Sequence, residues 1–190
     1  MNILQQLFQE SELHPTELER VLEAYQFCRL DKGDYWLAEG QQANHIFVLE
    51  SGLMRAYAID QKGKEITTNF YGRGQIAIEV NSFFLRMPTS ENIHALSDCT
   101  GWQLDFEAFQ QLFHGLENFR EFARGRLVRK FVRLKGRSLS MITDSAQERY
   151  LQLLRGHPQI LQEAPLKYVA SFLGVTDSSL SRIRKEIARP

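Results

Sequence analysis

The chain has 190 residues, 43% of them hydrophobic, with 23 basic and 23 acidic side chains. This apolar fraction supports a packed core and argues against disorder. No run of about eighteen apolar residues predicts a membrane span, and the N-terminus lacks the cationic and apolar regions of a secretory signal. The two cysteines, Cys28 and Cys99, lie far apart and do not form a disulfide framework. We therefore expect a cytoplasmic protein.

The zero net charge hides an asymmetry along the chain. Residues 1–119 contain 8 Lys and Arg against 17 Asp and Glu, a net charge of −9. Residues 120–190 contain 15 against 6, a net charge of +9. A basic C-terminal part is typical of a nucleic-acid-binding protein. A role in solubility and an attraction between the two halves are the alternatives.

The first 24 residues show a helical pattern in two segments. Apolar residues recur at helical spacing, first at Leu4, Leu7 and Phe8, and then, after Pro15, at Leu18, Val21 and Leu22. We interpret both helices as a lid packed on the next domain.

Between residues 25 and 105 the pattern changes to short apolar runs separated by glycine-containing turns. These runs predict eight strands: Tyr25–Leu30, Tyr35–Ala38, His45–Leu49, Leu53–Ile59, Glu65–Tyr71, Gln75–Ile78, Asn92–Leu96 and Thr100–Leu104. Short strands at this spacing favour an all-β sandwich or jelly roll. Such a barrel either holds a small ligand or fills with side chains.

Helical periodicity returns after residue 105. A short amphipathic helix over 106–113 is followed by Gly115 and by a long cationic helix from about 116 to 140. The apolar seam of the long helix packs either on its own domain or on the same helix of a second chain. We favour a homodimer, with contacts from Phe119, Phe122, Leu127, Phe131 and Leu134.

The remaining residues predict a small helical domain. Asp144 is the expected cap of a helix that ends at Gly156-His157-Pro158. Two short helices then follow over 165–187, the first opened by Pro165 at its first helical position and closed by Gly174. Thr176 is the expected cap of the second helix, whose buried stripe is Leu180, Ile183 and Ile187.

Two short helices, a glycine turn and a polar-cationic face are the features of a helix-turn-helix. We expect the second helix to lie in the major groove of DNA. The guanidinium of Arg182 suits a guanine edge, whereas Arg184, Lys185 and Arg189 suit phosphates. The alternative is a plain helical hairpin with a solvated charged face. The candidate DNA-binding residues are Thr176, Asp177, Ser178, Ser179, Ser181, Arg182, Arg184 and Lys185.

The order of these elements resembles the Crp/Fnr family of transcription regulators. The resemblance rests on KGDYWLAEG (32–40), HIFVLESGLMRAY (45–57), DQKGKE (60–65), GRGQIAIE (72–79) and PLKYVASFLGVTDSSLSRIRK (165–185). It implies an α+β fold with a cyclic-nucleotide-binding-like jelly roll over 1–115, a long dimerisation helix over 116–142 and a helix-turn-helix domain over 143–190. It also implies double-stranded DNA and a second copy of the chain as partners, with RNA polymerase and a small-molecule effector as further candidates.

The resemblance places a phosphate-binding cassette at 74–92. Glu79 falls where the family's glutamate binds the ribose, but the arginine that neutralises the cyclic phosphate is replaced by Thr89, beside Ser90. Because threonine carries no charge and an unpaired buried anion is costly, we expect no binding of cAMP or cGMP in the usual way. The alternative is that Arg86, three residues earlier, supplies the missing positive charge. Two cysteines and scattered histidines predict no iron–sulfur, haem or metal site.

The DNA-reading segment also differs from the family pattern. The Arg-Glu pair that opens the family's recognition helix is Asp177-Ser178 here, and only the later arginine, Arg182, is kept. We therefore expect a different target sequence. Because the sequence stops at Pro190, we also expect it to lack the β-hairpin wing that often follows the recognition helix in this family. Since no set of nucleophile and base is visible, we expect a regulator rather than an enzyme. The alternative is a small-molecule-binding module that acts through protein partners.

Overall fold

The computed structural model describes residues 2–187. Two helices, α1 (Ile3–Phe8) and α2 (Pro15–Glu23), precede a β-sandwich, and α4 (Phe106–Gly115) follows it. One long helix, α5 (Glu117–Thr143), then leads to four shorter helices. These are α6 (Ala146–Gly156), α7 (Pro158–Glu163), α8 (Leu166–Phe172) and α9 (Asp177–Ile187). The fold is thus the mixed architecture predicted from the sequence.

The β-sandwich consists of two four-stranded antiparallel sheets with strand orders β1-β8-β3-β6 and β2-β7-β4-β5. This is a jelly-roll order, and each of the eight predicted strands is confirmed. One helix, α3 (Val80–Leu85), lies between β6 and β7. The strands are β1 (Gln26–Leu30), β2 (Tyr35–Leu37), β3 (His45–Ser51), β4 (Met54–Ile59), β5 (Glu65–Tyr71), β6 (Ile76–Ala77), β7 (Asn92–Ala95) and β8 (Cys99–Asp105).

The N-terminal helices cover one end of the sandwich core, as predicted. Phe8 and Val21 are buried, and the Phe8 ring lies 4.7 Å from that of Phe122 and 6.3 Å from that of Phe119, both on α5. Pro15 stands at the start of α2, where its missing N–H leaves no carbonyl unsatisfied. The lid therefore ties the start of α5 to the sandwich.

The sequence predictions were wrong at three helix boundaries in the C-terminal part. Ser145, not Asp144, caps α6, because its hydroxyl and the Glu148 carboxylate form a reciprocal capping box. Pro165 is the residue before α8 rather than its first residue. The helix α7 was not predicted, because Pro158 marks the end of α6 and at the same time opens the next helix.

The four C-terminal helices form a second apolar cluster that includes residues of the sandwich. Leu180 and Ile183 of α9 are buried against α8, and Leu53 and Phe70 of the sandwich belong to the same apolar cluster. The ring of Phe70 lies 5.3 Å from that of Phe172. The helical part therefore docks on the sheet that contains β4 and β5.

Candidate functional site

The helix α9 follows a tight turn and has one buried and one open face. Gly174 adopts φ +69°, a left-handed conformation that favours glycine. The hydroxyl of Thr176 then accepts a hydrogen bond of 3.2 Å from the Ser179 N–H and satisfies one of the free donors at the start of α9. Leu180 and Ile183 fix the helix on α8. The opposite face is therefore left open.

That open face contains the predicted DNA-binding residues. Arg182, Arg184 and Lys185 are exposed, and the Arg182 side chain keeps 75% of its accessible surface. Its Nε lies 4.0 Å from the Glu186 carboxylate, a loose ion pair that leaves the guanidinium available. Thr176, Asp177, Ser178 and Ser181 are also exposed, whereas Ser179 is half-buried, and Arg189 lies outside the described residues. The face can donate hydrogen bonds and supply positive charge.

Three of the four candidate effector residues of the cassette, Glu79, Arg86 and Thr89, make local hydrogen bonds. Glu79 caps α3 by accepting hydrogen bonds from the N–H groups of Asn81 and Ser82, at 3.3 and 2.6 Å. Thr89 is buried, and its hydroxyl accepts a 3.0 Å hydrogen bond from the Glu91 N–H. Ser90 is exposed. None of these three residues, Glu79, Thr89 and Ser90, supplies a positive charge beside Thr89.

Arg86 does not replace the missing arginine. It ends α3 in a left-handed conformation, with φ 57°. Its guanidinium donates to the Ala43 carbonyl at 3.0 Å and to the Asn44 side chain at 2.7 Å, and it stacks on the Phe106 ring at 4.0 Å. These contacts hold the cation against the 43–44 segment.

A different cation lies against the sandwich. The amine of Lys130, on α5, donates to the Ile78 carbonyl at 3.0 Å and lies 5.8 Å from the centre of the Tyr71 ring. Burial lowers the pKa of Lys130 to about 8, although the carboxylates of Glu91 and Glu79 act in the opposite direction. Burial also raises the pKa of Glu91. Sequence reasoning missed Lys130, because its apolar surroundings come from residues about fifty positions earlier.

The predicted dimer helix divides into a buried start and an exposed end. Phe119 was predicted to contact a second chain, but it is only 2% exposed and packs on Phe8 and Phe109, so it belongs to the core of its own protomer. Phe122 and Leu127 are half-buried, whereas Phe131 and Leu134 are 67% and 50% exposed. Five further exposed apolar residues of α5 were not predicted as contacts: Val128, Val132, Leu139, Met141 and Ile142.

A second feature that sequence reasoning missed is the joint between the sandwich and α8. Arg55 is fully buried, and its guanidinium lies between the rings of Tyr57 and Tyr168, at 4.4 and 3.6 Å. It donates to Thr67 at 2.9 Å and to the Glu65 carboxylate at 2.6 Å. Because Tyr168 lies on α8, this stack couples the two parts of the chain.

Comparisons with known proteins agree with this architecture. Residues 27–115 match the family model of the cyclic nucleotide-binding domain. A search of curated proteins by sequence found no match. Among solved structures, the chain is similar to the c-di-GMP-responsive global regulator CLP of Xanthomonas campestris, with a TM-score of 0.70 and 15% identity over 92% of this chain and 91% of that one.

Two further regulators share the fold. FixK2 from Bradyrhizobium japonicum has a TM-score of 0.71 and 16% identity over 86% of this chain and 84% of its own. The catabolite activator protein of Thermus thermophilus has a TM-score of 0.59 and 20% identity over 96% and 86%. Residues 27–115 thus match a cyclic nucleotide-binding domain, and the chain has the fold of these regulators, as the resemblance implied.

Residues 2–187 contain neither a candidate membrane span nor a candidate metal site. No helix there is both long and apolar enough to cross a membrane. Within the same range, no group of three or more histidine, cysteine or acidic side chains is arranged to hold a metal ion.

Proposed function

We propose that this chain is a homodimeric, sequence-specific DNA-binding transcription regulator rather than an enzyme. In this proposal residues 1–115 form the sensor, 116–142 the dimerisation helix and 143–190 the DNA-binding domain. The observation that supports it most is α9, which buries Leu180 and Ile183 and presents Arg182, Arg184 and Lys185 to solvent. A helix with this division of faces fits the major groove and can reach both base edges and phosphates.

The arginine and the lysine have distinct roles in this proposal. A bidentate guanidinium at Arg182 selects guanine at one position, so Arg182→Ala should cost ~1–3 kcal/mol of binding free energy and relax specificity there. Lys185 neutralises a phosphate, so Lys185→Ala should weaken all sequences alike and reduce the salt slope by about one. The target is first found by genome-wide mapping of bound DNA, and affinities are then measured by fluorescence anisotropy at several salt concentrations.

The matched control is Lys62→Ala, which removes an exposed positive charge in the turn between β4 and β5 and should leave DNA affinity unchanged. If Arg182→Ala and Lys185→Ala bind DNA as tightly as the unaltered chain at moderate salt, the DNA-reading role is wrong. The chain would then be better described as a small-molecule-binding module that acts through protein partners. RNA polymerase remains a proposed further partner.

The dimer is supported by the exposed apolar residues of α5. Val128, Val132, Leu139 and Ile142 recur at spacings of four, seven and three, so they lie on one face of the helix, and each is at least 52% exposed. A helix face of this kind is buried most simply by the same face of a second copy, and a two-fold protein suits paired half-sites on DNA.

The dimer is tested by Val132→Asp, which places a charge in the centre of this face. Sedimentation should then show a monomer where the unaltered chain sediments as a dimer. The control is Ile59→Asp, at an apolar position of β4 that is 50% exposed, where no change is expected. A monomeric unaltered chain, or equal effects of the two changes, would contradict the proposal.

We also propose that the sensor does not bind cAMP in the usual way, because Thr89 stands at the family's arginine position and Arg86 is held against the 43–44 segment. The charge near this part of the sandwich is supplied by Lys130 of α5 and is opposed by the nearby carboxylates of Glu79 and Glu91. Calorimetric titration with cAMP should show no binding in the micromolar range. Micromolar binding would remove this part of the proposal.

A further inference from the structure

A cleft of about 500 Å³ lies between the β-sandwich, one side of α5 and helices α6 to α8. Tyr71, Phe119 and Phe172 give it aromatic walls. Within residues 2–187, no aspartate or glutamate lines it. The cleft is also lined by six basic side chains: Arg126, Arg129, Lys130, Arg133, Arg137 and Arg149. The cleft therefore combines an apolar interior with one sign of charge.

Four of these cations form a row along α5. Arg126, Lys130, Arg133 and Arg137 are spaced by four, three and four residues, which places them on one helix face. None of the four has an ion-pair partner within 4.0 Å among the described residues. Like charges at such spacings destabilise a helix by a few tenths of a kcal/mol per pair. The carboxylates of Glu79 and Glu91 lie outside the cleft lining and act against this repulsion at Lys130, and Glu91 also does so at Arg137.

Several of these cations are held in place by backbone carbonyls. Arg137 donates to the carbonyls of Thr68 and Phe172, the second at 3.1 Å, and Arg149 donates to the Leu173 carbonyl at 3.0 and 3.1 Å. The guanidinium of Arg137 also lies 4.0 Å from the centre of the Phe172 ring. Fixed cations bind an anion with little further loss of side-chain freedom.

The electrostatics of the cleft agree with its composition. Burial lowers the pKa of Arg126, and the nearby guanidinium groups of Arg129 and Arg133 lower it further. Burial lowers the pKa of His157, on the same cleft, and Arg133 adds to that effect. These groups are crowded by positive charge, a condition that a bound anion relieves.

We propose that this cleft binds an organic anion with two or more negative charges and a flat apolar body. The cleft adjoins the cyclic-nucleotide cassette, because it is lined by Gly74, Gln75, Ile76, Ile78 and Phe84 but not by Glu79 or Thr89. Because Tyr71 belongs to the sandwich, Arg149 lies on α6 and His157 ends that helix, a ligand there contacts the sandwich, α5 and the C-terminal helices at once. Such a ligand would fix their relative orientation and so, on the proposed function, alter the affinity for DNA.

The test uses three probes that separate charge from apolar surface. The dye bis-ANS has two sulfonates on aromatic rings, N-phenyl-1-naphthylamine has the rings without the charge, and pyrophosphate has the charge without the rings. We expect bis-ANS to bind at one site per chain, at least tenfold more tightly than either of the other probes. Fluorescence titration measures the two dyes, and competition against bis-ANS measures pyrophosphate.

Matched variants on α5 locate the site. Arg133→Ala removes an exposed side chain of the cleft and should weaken bis-ANS about tenfold, whereas Lys135→Ala, exposed but absent from the cleft lining, should leave its affinity unchanged. Equal affinities for the charged and uncharged dyes, or equal effects of the two variants, would overturn the proposal. Because these titrations contain no DNA, their outcome is independent of the DNA-binding tests of the proposed function.

Discussion

Replacing Lys130 by methionine should stabilise the protein at neutral pH and destabilise it at high pH. The Lys130 amine is desolvated because it packs against Ile78 and Tyr71. This burial lowers the pKa of the amine from 10.5 to about 8. At about 1.36 kcal/mol for each pH unit, the charged amine costs the folded state about 3 kcal/mol at pH 7. Methionine avoids that cost but loses a hydrogen bond of about 1 kcal/mol to the Ile78 carbonyl. We therefore expect a net gain of about 2 kcal/mol in the free energy of unfolding at pH 7.

The sign of the effect follows from proton binding. Between pH 8 and 10.5 the unfolded chain holds more protons at this lysine than the folded chain, so this residue makes the folded state more stable as the pH rises through that window. The methionine variant lacks this gain, and by about pH 10.5 it should be less stable than the unaltered chain by about 1 kcal/mol.

Urea denaturation at several pH values between 7 and 10.5 measures this difference. All other titrating groups are common to both proteins, so their contributions cancel in the comparison. The control is Lys62→Met, an exposed position in the turn between β4 and β5 where the change should stay within about 0.5 kcal/mol. If Lys130→Met lowers stability equally at both ends of the pH range, the charge of Lys130 is not strained in the folded state and the reasoning fails.

Two further substitutions test the packing of the C-terminal helices. Leu180→Ala empties a fully buried position of α9 and should lower the free energy of unfolding by about 2–5 kcal/mol, measured by urea denaturation, with exposed Ser181→Ala as the control. Tyr168→Ala removes the ring that lies 3.6 Å from the buried Arg55 guanidinium and should cost about 1–3 kcal/mol. It should also speed proteolysis between α5 and α8. If the variant is cleaved no faster than the unaltered chain, the stack does not hold the C-terminal helices on the sandwich.

The sequence predicted the strands well because their signals are local. Short apolar runs, most of them bounded by glycine-containing turns, mark the strands, and the match of all eight follows from these local signals. Asp144 illustrates the limit of local signals at helix ends. Both Asp144 and Ser145 are good caps, and the choice between them depends on Glu148, which reaches back to the Ser145 N–H at 2.7 Å.

Contacts between distant segments were not predictable from one sequence. Arg55 gave no signal in β4, since an arginine in a strand is usually solvated. It is buried because Tyr168, more than a hundred residues later, covers it. Phe119 was misassigned for the same reason: periodicity identifies an apolar face but does not tell whether the face meets its own domain or a second chain.

The faces of α5 resolve that ambiguity. At 100° per residue, the cleft cations Arg126, Lys130, Arg133 and Arg137 lie within about 60° of one another, and the exposed apolar residues Val128, Val132, Leu139 and Ile142 centre on the opposite side. A second copy packed on the apolar side would leave the cleft open. Since the same rigid helix borders both, a ligand that moves α5 relative to the sandwich would also move the proposed dimer contact, and with it the spacing of the two α9 helices. A ligand with equal affinity for both arrangements would change nothing, so any effector of the cleft must alter the position of α5.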